Sequence, residues 1–166
     1  MIQKSYTCGA SEEPLIGLTI GEMFDRIADK HADNDALISV HQNIRWTYRE
    51  LREQVDRAAR ALLSLEVKKG ERVGIWSPNC AEWLVVQLAT ARIGAVLVNI
   101  NPAYRLHELE YALKQSGCAV MVTAEQFKSS KYIEMLNTLC PELKAEGKCE
   151  KLPALRQVIC LTPEER

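Results

Sequence analysis

The 166-residue sequence has no glycine-rich phosphate loop: neither G-x-G-x-x-G nor G-x-x-x-x-G-K-[ST] occurs in it, which excludes a self-contained dinucleotide or P-loop site. It has no apolar run of the roughly 18 residues that a membrane-spanning helix needs. The longest apolar stretch, 81–98, is interrupted by Glu82, Gln87, Thr90 and Arg92. There is no excess of either charge sign. A net charge of -1 gives no electrostatic case for a nucleic-acid or membrane-surface partner. Residues 1–17 have neither the apolar core of a secretory signal nor the Arg-rich, acid-poor character of a transit peptide, so a cytoplasmic location is expected.

Motifs that would carry chemistry are missing as well. The six cysteines, at 8, 80, 118, 140, 149 and 160, form no Cys-x-x-Cys pair and no zinc-spaced set with histidine. They are expected to be reduced thiols that serve as small apolar side chains. His107-Glu108 resembles the start of a zincin helix, but position 111 is Tyr where a second His is required. His31 and His41 have no partner in sequence, and no serine or cysteine sits in a G-x-S-x-G elbow. Glu108 and Glu110 are two apart, so a helix points them in different directions. Trp46, Trp76 and Trp83 read as core or rim residues. Gly70 and Gly74 flank a strand start, and Gly94 and Gly117 each end a helix.

What is present is a globular pattern, 47% hydrophobic and 26% charged, of a length suited to one domain. Residues 1–17, with Gly9, Gly17 and Pro14, read as an extended arm, and 18–166 as one α/β unit. Thr19 and Glu22 have the spacing of a capping box, followed by apolar residues at helical period. Short runs at 36–40 and 44–46 predict a hairpin. A second box, Thr47 and Glu50, opens a helix with Leu51, Val55, Ala59 and Leu62 on one face. Strands are then expected at 72–76, 95–98, 118–122 and 156–161. Helices are expected at about 80–93, with Asn79 as its cap, at 105–116 and at 131–139; a polar loop holds Glu146, Gly147 and Lys148. Strands alternating with helices predict a mostly parallel sheet covered by helices on both faces, and the all-round apolar 80–93 segment should be the most buried helix.

The stretch 46–122 adds a resemblance. Thr47-Tyr48-x-Glu50-Leu51, Gly70-Glu71-Arg72-Val73, Ser77-Pro78-Asn79 with Glu82-Trp83, 91–96, Asn101-Pro102 with Tyr104, and Glu108-Leu109 follow in an order and spacing similar to the N-terminal region of the adenylate-forming (AMP-binding) superfamily. Weaker similarity reaches both ends. The run 108–122 and the segment 125–143 look most like the medium-chain acyl-CoA ligase branch that includes acyl-CoA synthetase family member two.

The resemblance implies part of the large N-terminal domain of an adenylate-forming enzyme. In the family a fatty acid and ATP, with Mg²⁺, give acyl-adenylate and pyrophosphate, and CoA then displaces AMP. The family's Ser/Thr/Gly-rich phosphate loop, ribose-holding Asp and catalytic Lys have no counterpart here. No catalytic, cofactor-binding or metal residue is therefore assigned, and the fragment alone is expected to be inactive, to take no cofactor and to self-associate. The competing expectation is a non-catalytic α/β interaction module built on the same scaffold.

Overall fold

A computed structural model describes Gly9 and residues 15–161, except for the side chains of Lys144 and Glu146. The expected arm over 1–17 lies almost wholly outside the described residues.

Two helices begin where their sequences carry start signals. In α1 (Ile20–Lys30) the Thr19 hydroxyl accepts from the Glu22 backbone N–H at 3.2 Å, and the Glu22 carboxylate accepts from the Thr19 N–H at 2.8 Å. In α2 (Tyr48–Ser64) Thr47 and Glu50 make the same reciprocal pair at 3.3 and 2.8 Å. Each box satisfies donors that a helix start leaves without partners. Between the helices, β1 (Asp35–Ser39) and β2 (Ile44–Thr47) pair antiparallel through one 3₁₀ turn, Val40–Gln42. Asn43 closes that turn in the left-handed region, φ 52°.

The end of α2 lies at Ser64, with Gly70 beyond it. Glu66, at φ 59°, takes the left-handed position, and Val67 N–H reaches back to the Leu62 carbonyl at 3.1 Å.

The remaining chain alternates as its apolar runs predict. Strands β3 (Arg72–Trp76), β4 (Val96–Asn99), β5 (Val120–Ala124) and β8 (Gln157–Leu161) form one sheet in the order β4-β3-β5-β8, every pair parallel. Helices α3 (Ala81–Ile93) and α4 (Leu106–Ser116) make the first two crossovers. The third contains a hairpin the sequence did not signal, β6 (Gln126–Phe127) with β7 (Ser130–Lys131), then α5 (Tyr132–Leu139). A four-residue helix, α6 (Leu143–Glu146), which the sequence did not signal, takes in Glu146 of the expected polar loop and leaves Gly147 and Lys148 outside it.

Strand alternation sends side chains to two separate cores. Val73, Ile75, Val120 and Val122 face α1, α2 and α3. Trp76 and Met121 face α4 and α5. Helix α3 is closely surrounded: Gln87 is its only exposed residue. Gly21 lets α1 approach it, since a Cβ at 21 would lie 3.3 Å from Arg92 Cα.

The expectation that all the cysteines are free thiols is overturned. Cys140 and Cys149 form a disulfide, both buried, because the turn after α6 brings 149 back against the end of α5. Among the described residues no helix is long and apolar enough to cross a membrane.

Candidate functional site

Parallel sheets offer ligand sites at the carboxyl ends of strands, where successive crossovers leave in opposite directions. Here the chain passes from β3 out to β4, then returns past β3 to β5. The switch point therefore lies between the ends of β3 and β5, at Trp76, Ser77 and Thr123.

That position is filled by the protein itself. Trp76, Thr123 and Tyr132 are fully buried and Ser77 is nearly so. The Trp76 and Tyr132 rings stack with centroids 3.7 Å apart. The Trp76 indole N–H donates to the Asn101 carbonyl at 3.0 Å, and the Tyr132 hydroxyl to the Pro102 carbonyl at 2.7 Å. The Thr123 hydroxyl lies 3.0 Å from the Trp76 carbonyl. Burial raises the Tyr132 pKa, which keeps the phenol protonated as a donor. These groups pin the loop after β4 to the sheet end, so their donors are already committed.

The flanking helix starts are the places where backbone N–H groups could meet an anion. Both carry acceptors already. Asn79 does not cap α3, whose N-cap residue is Cys80. The Ala81 N–H donates instead to Gln42 Oε1 at 2.7 Å, and Gln42 Nε2 donates to Glu82 Oε2 at 2.8 Å. Gln42 comes from the β1–β2 turn, a partner that local sequence cannot indicate. At α4 the Glu108 carboxylate accepts from the Arg105 N–H at 3.1 Å. Hydrogen bonds from its own backbone N–H and from Arg105 hold its pKa below the usual glutamate value.

The other residues weighed from sequence are scattered. His107 is exposed beside Glu108, on the rim of an open depression of about 390 Å³ along α4 that Tyr104 and Tyr111 also line. Glu110 pairs with Lys114 at 2.6 Å. His31 ends α1, and His41 lies 3.4 Å from the Ser39 hydroxyl. Trp46 and Trp83 pack against the first core. Burial pushes the Cys80, Cys118 and Cys160 thiols upward, which disfavours the thiolate a nucleophile needs. Among the described residues no three His, Cys, Asp or Glu side chains are placed to hold a metal ion.

In this arrangement the polar groups at the switch point and at the two flanking helix starts hold the protein's own loops and turns. Its family is read from comparison. The chain is 45% identical over 159 residues to a mouse protein named "Medium-chain acyl-CoA ligase ACSF2, mitochondrial", covering 93% of this chain and 26% of that protein. It is 40% identical over 149 residues to the "Putative acyl-CoA synthetase YngI" of Bacillus subtilis, covering 87% of this chain and 27% of the other. Among solved structures it superimposes, at 23% identity and a TM-score of 0.75, on the N-terminal domain of FACL13 from Mycobacterium tuberculosis, over 87% of this chain and 34% of that one. The chain thus spans about a quarter of the length of the curated relatives it matches. The model of the AMP-binding enzyme family matches residues 24–162, and with these relatives on both sides the chain belongs to that family.

Proposed function

We propose that this chain is the N-terminal α/β portion of an ATP-dependent fatty-acid–CoA ligase, with 18–166 as one subdomain. The observation that carries the proposal is the 45% identity over 159 residues to a protein named a medium-chain acyl-CoA ligase. The whole enzyme would join a fatty acid to ATP with Mg²⁺, giving acyl-adenylate and pyrophosphate, and CoA would then displace AMP. Activation is the physical point: a carboxylate is a poor electrophile until AMP becomes its leaving group. The test is pyrophosphate release by the protein whose reading frame contains this chain, across carboxylic acids of graded length. Turnover is expected for a window of fatty acids; none with any acid, given ATP, Mg²⁺ and CoA, would count against the proposal.

Within that enzyme this segment is a scaffold, and it supplies no catalytic, nucleotide-binding or metal-binding side chain. The residues present do not fit a triphosphate. The α3 start is occupied by the Gln42 amide oxygen, and the α4 start by a carboxylate of the same sign as a phosphate. A bare helix N-terminus contributes on the order of 1 kcal/mol toward an exposed charge, whereas micromolar binding needs about 8 kcal/mol. Calorimetric titration of the 166-residue chain with Mg-ATP should give no saturable heat; a low-micromolar dissociation constant would overturn this part.

The isolated chain should also self-associate. Strands β4 and β8 are the sheet's edges, and Val96 on β4 is 49% exposed. Unpaired edges and exposed apolar residues favour association. A concentration-independent monomer in light scattering would refute it. The proposed compartment is the cytoplasm. The name of the mouse relative includes mitochondrial, and fractionation of cells expressing the whole protein separates the two.

A further inference from the structure

We propose that Cys140 and Cys149 form a reversible thiol–disulfide switch that sets the order of segment 141–148 and, through it, the wall of the cavity between α5 and β8. The proposal is independent of the ligase reading.

Three observations support it. The two Cα atoms lie 5.2 Å apart, within the range a disulfide accepts, and they are placed there by α5 on one side and the turn at Gly147 on the other. The segment they bracket has little else to hold it. Helix α6 has four residues, too few to be stable alone, and Pro141, Ala145, Gly147 and Lys148 are exposed. Among the described residues its ties are backbone bonds within the turn, one from the Glu150 N–H to Glu142 Oε1 at 2.7 Å, and the packing of Leu143 against the second core. Finally, Cys140 and Leu143 form one wall of an open cavity of about 380 Å³, whose other walls are Leu136 and Asn137 of α5 and Gln157 and Val158 of β8. The sulfur bridge thus couples the segment's order to the shape of that cavity. The other described cysteines are free thiols: Cys118 contacts the Ser116 hydroxyl at 3.2 Å, Cys80 sits at the start of α3, and Cys160 is exposed on β8.

The chemistry needs an oxidant, a small-molecule disulfide such as oxidised glutathione. One thiol of the pair, as thiolate, attacks a glutathione sulfur and releases one glutathione thiolate, leaving a mixed disulfide. The second cysteine attacks the bound protein sulfur, forms the Cys140–Cys149 bond and expels the second glutathione. The two protons lost by the cysteines are taken up by the two glutathione thiolates. The reverse sequence with reduced glutathione reopens the bond.

The test uses the whole 166-residue chain in buffers running from fully reduced to fully oxidised glutathione. Peptide mapping after thiol alkylation reads the bond, and hydrogen exchange reads the segment. The expected result is a linked 140–149 peptide that appears with oxidation. With it the amides of Ala145 and Gly147, which donate to Glu142 and Leu143, should exchange at least about 10-fold more slowly. Amides of β3 and β5 should change by less than about 2-fold. No linked peptide in fully oxidised buffer would overturn the proposal, as would a linked peptide with unchanged exchange at 145 and 147. In Cys149→Ala, exchange there should stay at the reduced value at every glutathione ratio; a persisting response would also overturn it. If that variant does not fold, the unmodified chain still decides the matter.

Discussion

The two faces of the sheet are held by different physics. On the first, α1 and α2 bring their own start signals, packing on β3 and β5 is aliphatic, and Arg92 ties the three helices by pairing with Asp25 of α1 and Asp56 of α2. The Arg92 guanidinium also lies 5.9 Å from the Phe24 ring centroid. On the second, α5 has eight residues and no side-chain cap. Order there comes from the long-range Trp76–Tyr132 stack and its hydrogen bonds to loop carbonyls, and from the Cys140–Cys149 bridge, which closes a loop over a sequence separation of 9. Helices that state their own ends can form early and locally. The other face must wait until distant segments meet, since closing a long loop costs entropy before its contacts repay it.

The largest expected effect is on the second face. Trp76→Ala removes a fully buried ring and should cost about 3–5 kcal/mol in urea unfolding. Trp76→Phe keeps most of the stack but leaves the Asn101 carbonyl without its donor, and should cost about 1–3 kcal/mol. If Trp76→Ala proves no worse than Trp76→Phe, the stack is not what orders that face.

Next comes the hub of the first face. Arg92 is 20% exposed on its side chain and its carboxylate partners are 48% and 37% exposed. Solvent screens such pairs, so Arg92→Ala should cost roughly 1–2 kcal/mol, part of it lost packing of the stem. Arg92→Met retains that stem and should recover about half, measured in the same urea series. Full loss in Arg92→Met would assign the whole effect to charge.

A smaller change separates local from remote capping. Thr47→Ala and Gln42→Ala each remove one acceptor from a helix start, for α2 and α3 respectively, and each should cost about 1 kcal/mol. A difference remains visible in kinetics. The Thr47 partner is three residues away and the Gln42 partner thirty-nine. Thr47→Ala is expected to slow folding more, and Gln42→Ala to speed unfolding. Equal partition in stopped-flow chevrons would remove the distinction.

The smallest effect is that of pH. Glu22, Glu50 and Glu108 all have folded pKa values below the ordinary 4.5, held there first by backbone hydrogen bonds at their helix starts. A carboxyl with a depressed folded pKa stabilises fully above its unfolded value and loses that contribution as pH falls through the folded value. The urea midpoint should therefore be flat above 4.5 with respect to these groups and decline below it. Glu50→Gln, which removes one of the titrating groups, should flatten the decline. An unchanged slope would mean that the α2 box titrates no differently in the unfolded chain.

The same contrast marks what could be read in advance. Both capping boxes, the β1–β2 hairpin and all four parallel strands were legible, to within two residues, because each depends on neighbours in sequence. The family resemblance rested on the same elements, and the comparisons agree with it. Hidden from view were β6, β7 and α6, whose two- and four-residue lengths are too short to leave a period. Asn79 was a reasonable cap for α3 on local grounds, and a distant glutamine displaced it. The disulfide was equally invisible: no spacing rule pairs cysteines 140 and 149, and only the return of the chain after α6 brings them together.

By itself the sequence determined the longer strands and helices, that the four-stranded sheet is parallel, and that no phosphate loop lies within these residues, because period, caps and motif spacing act over a few residues. Tertiary structure alone decided the strand order β4-β3-β5-β8, with Trp76 and Tyr132 filling its switch point. It also decided the capping of α3 by Gln42 and the bonding of Cys140 to Cys149. Each of these depends on groups beyond the reach of a helical or strand period arriving within a few ångströms of one another, and that proximity is a property of the packed chain.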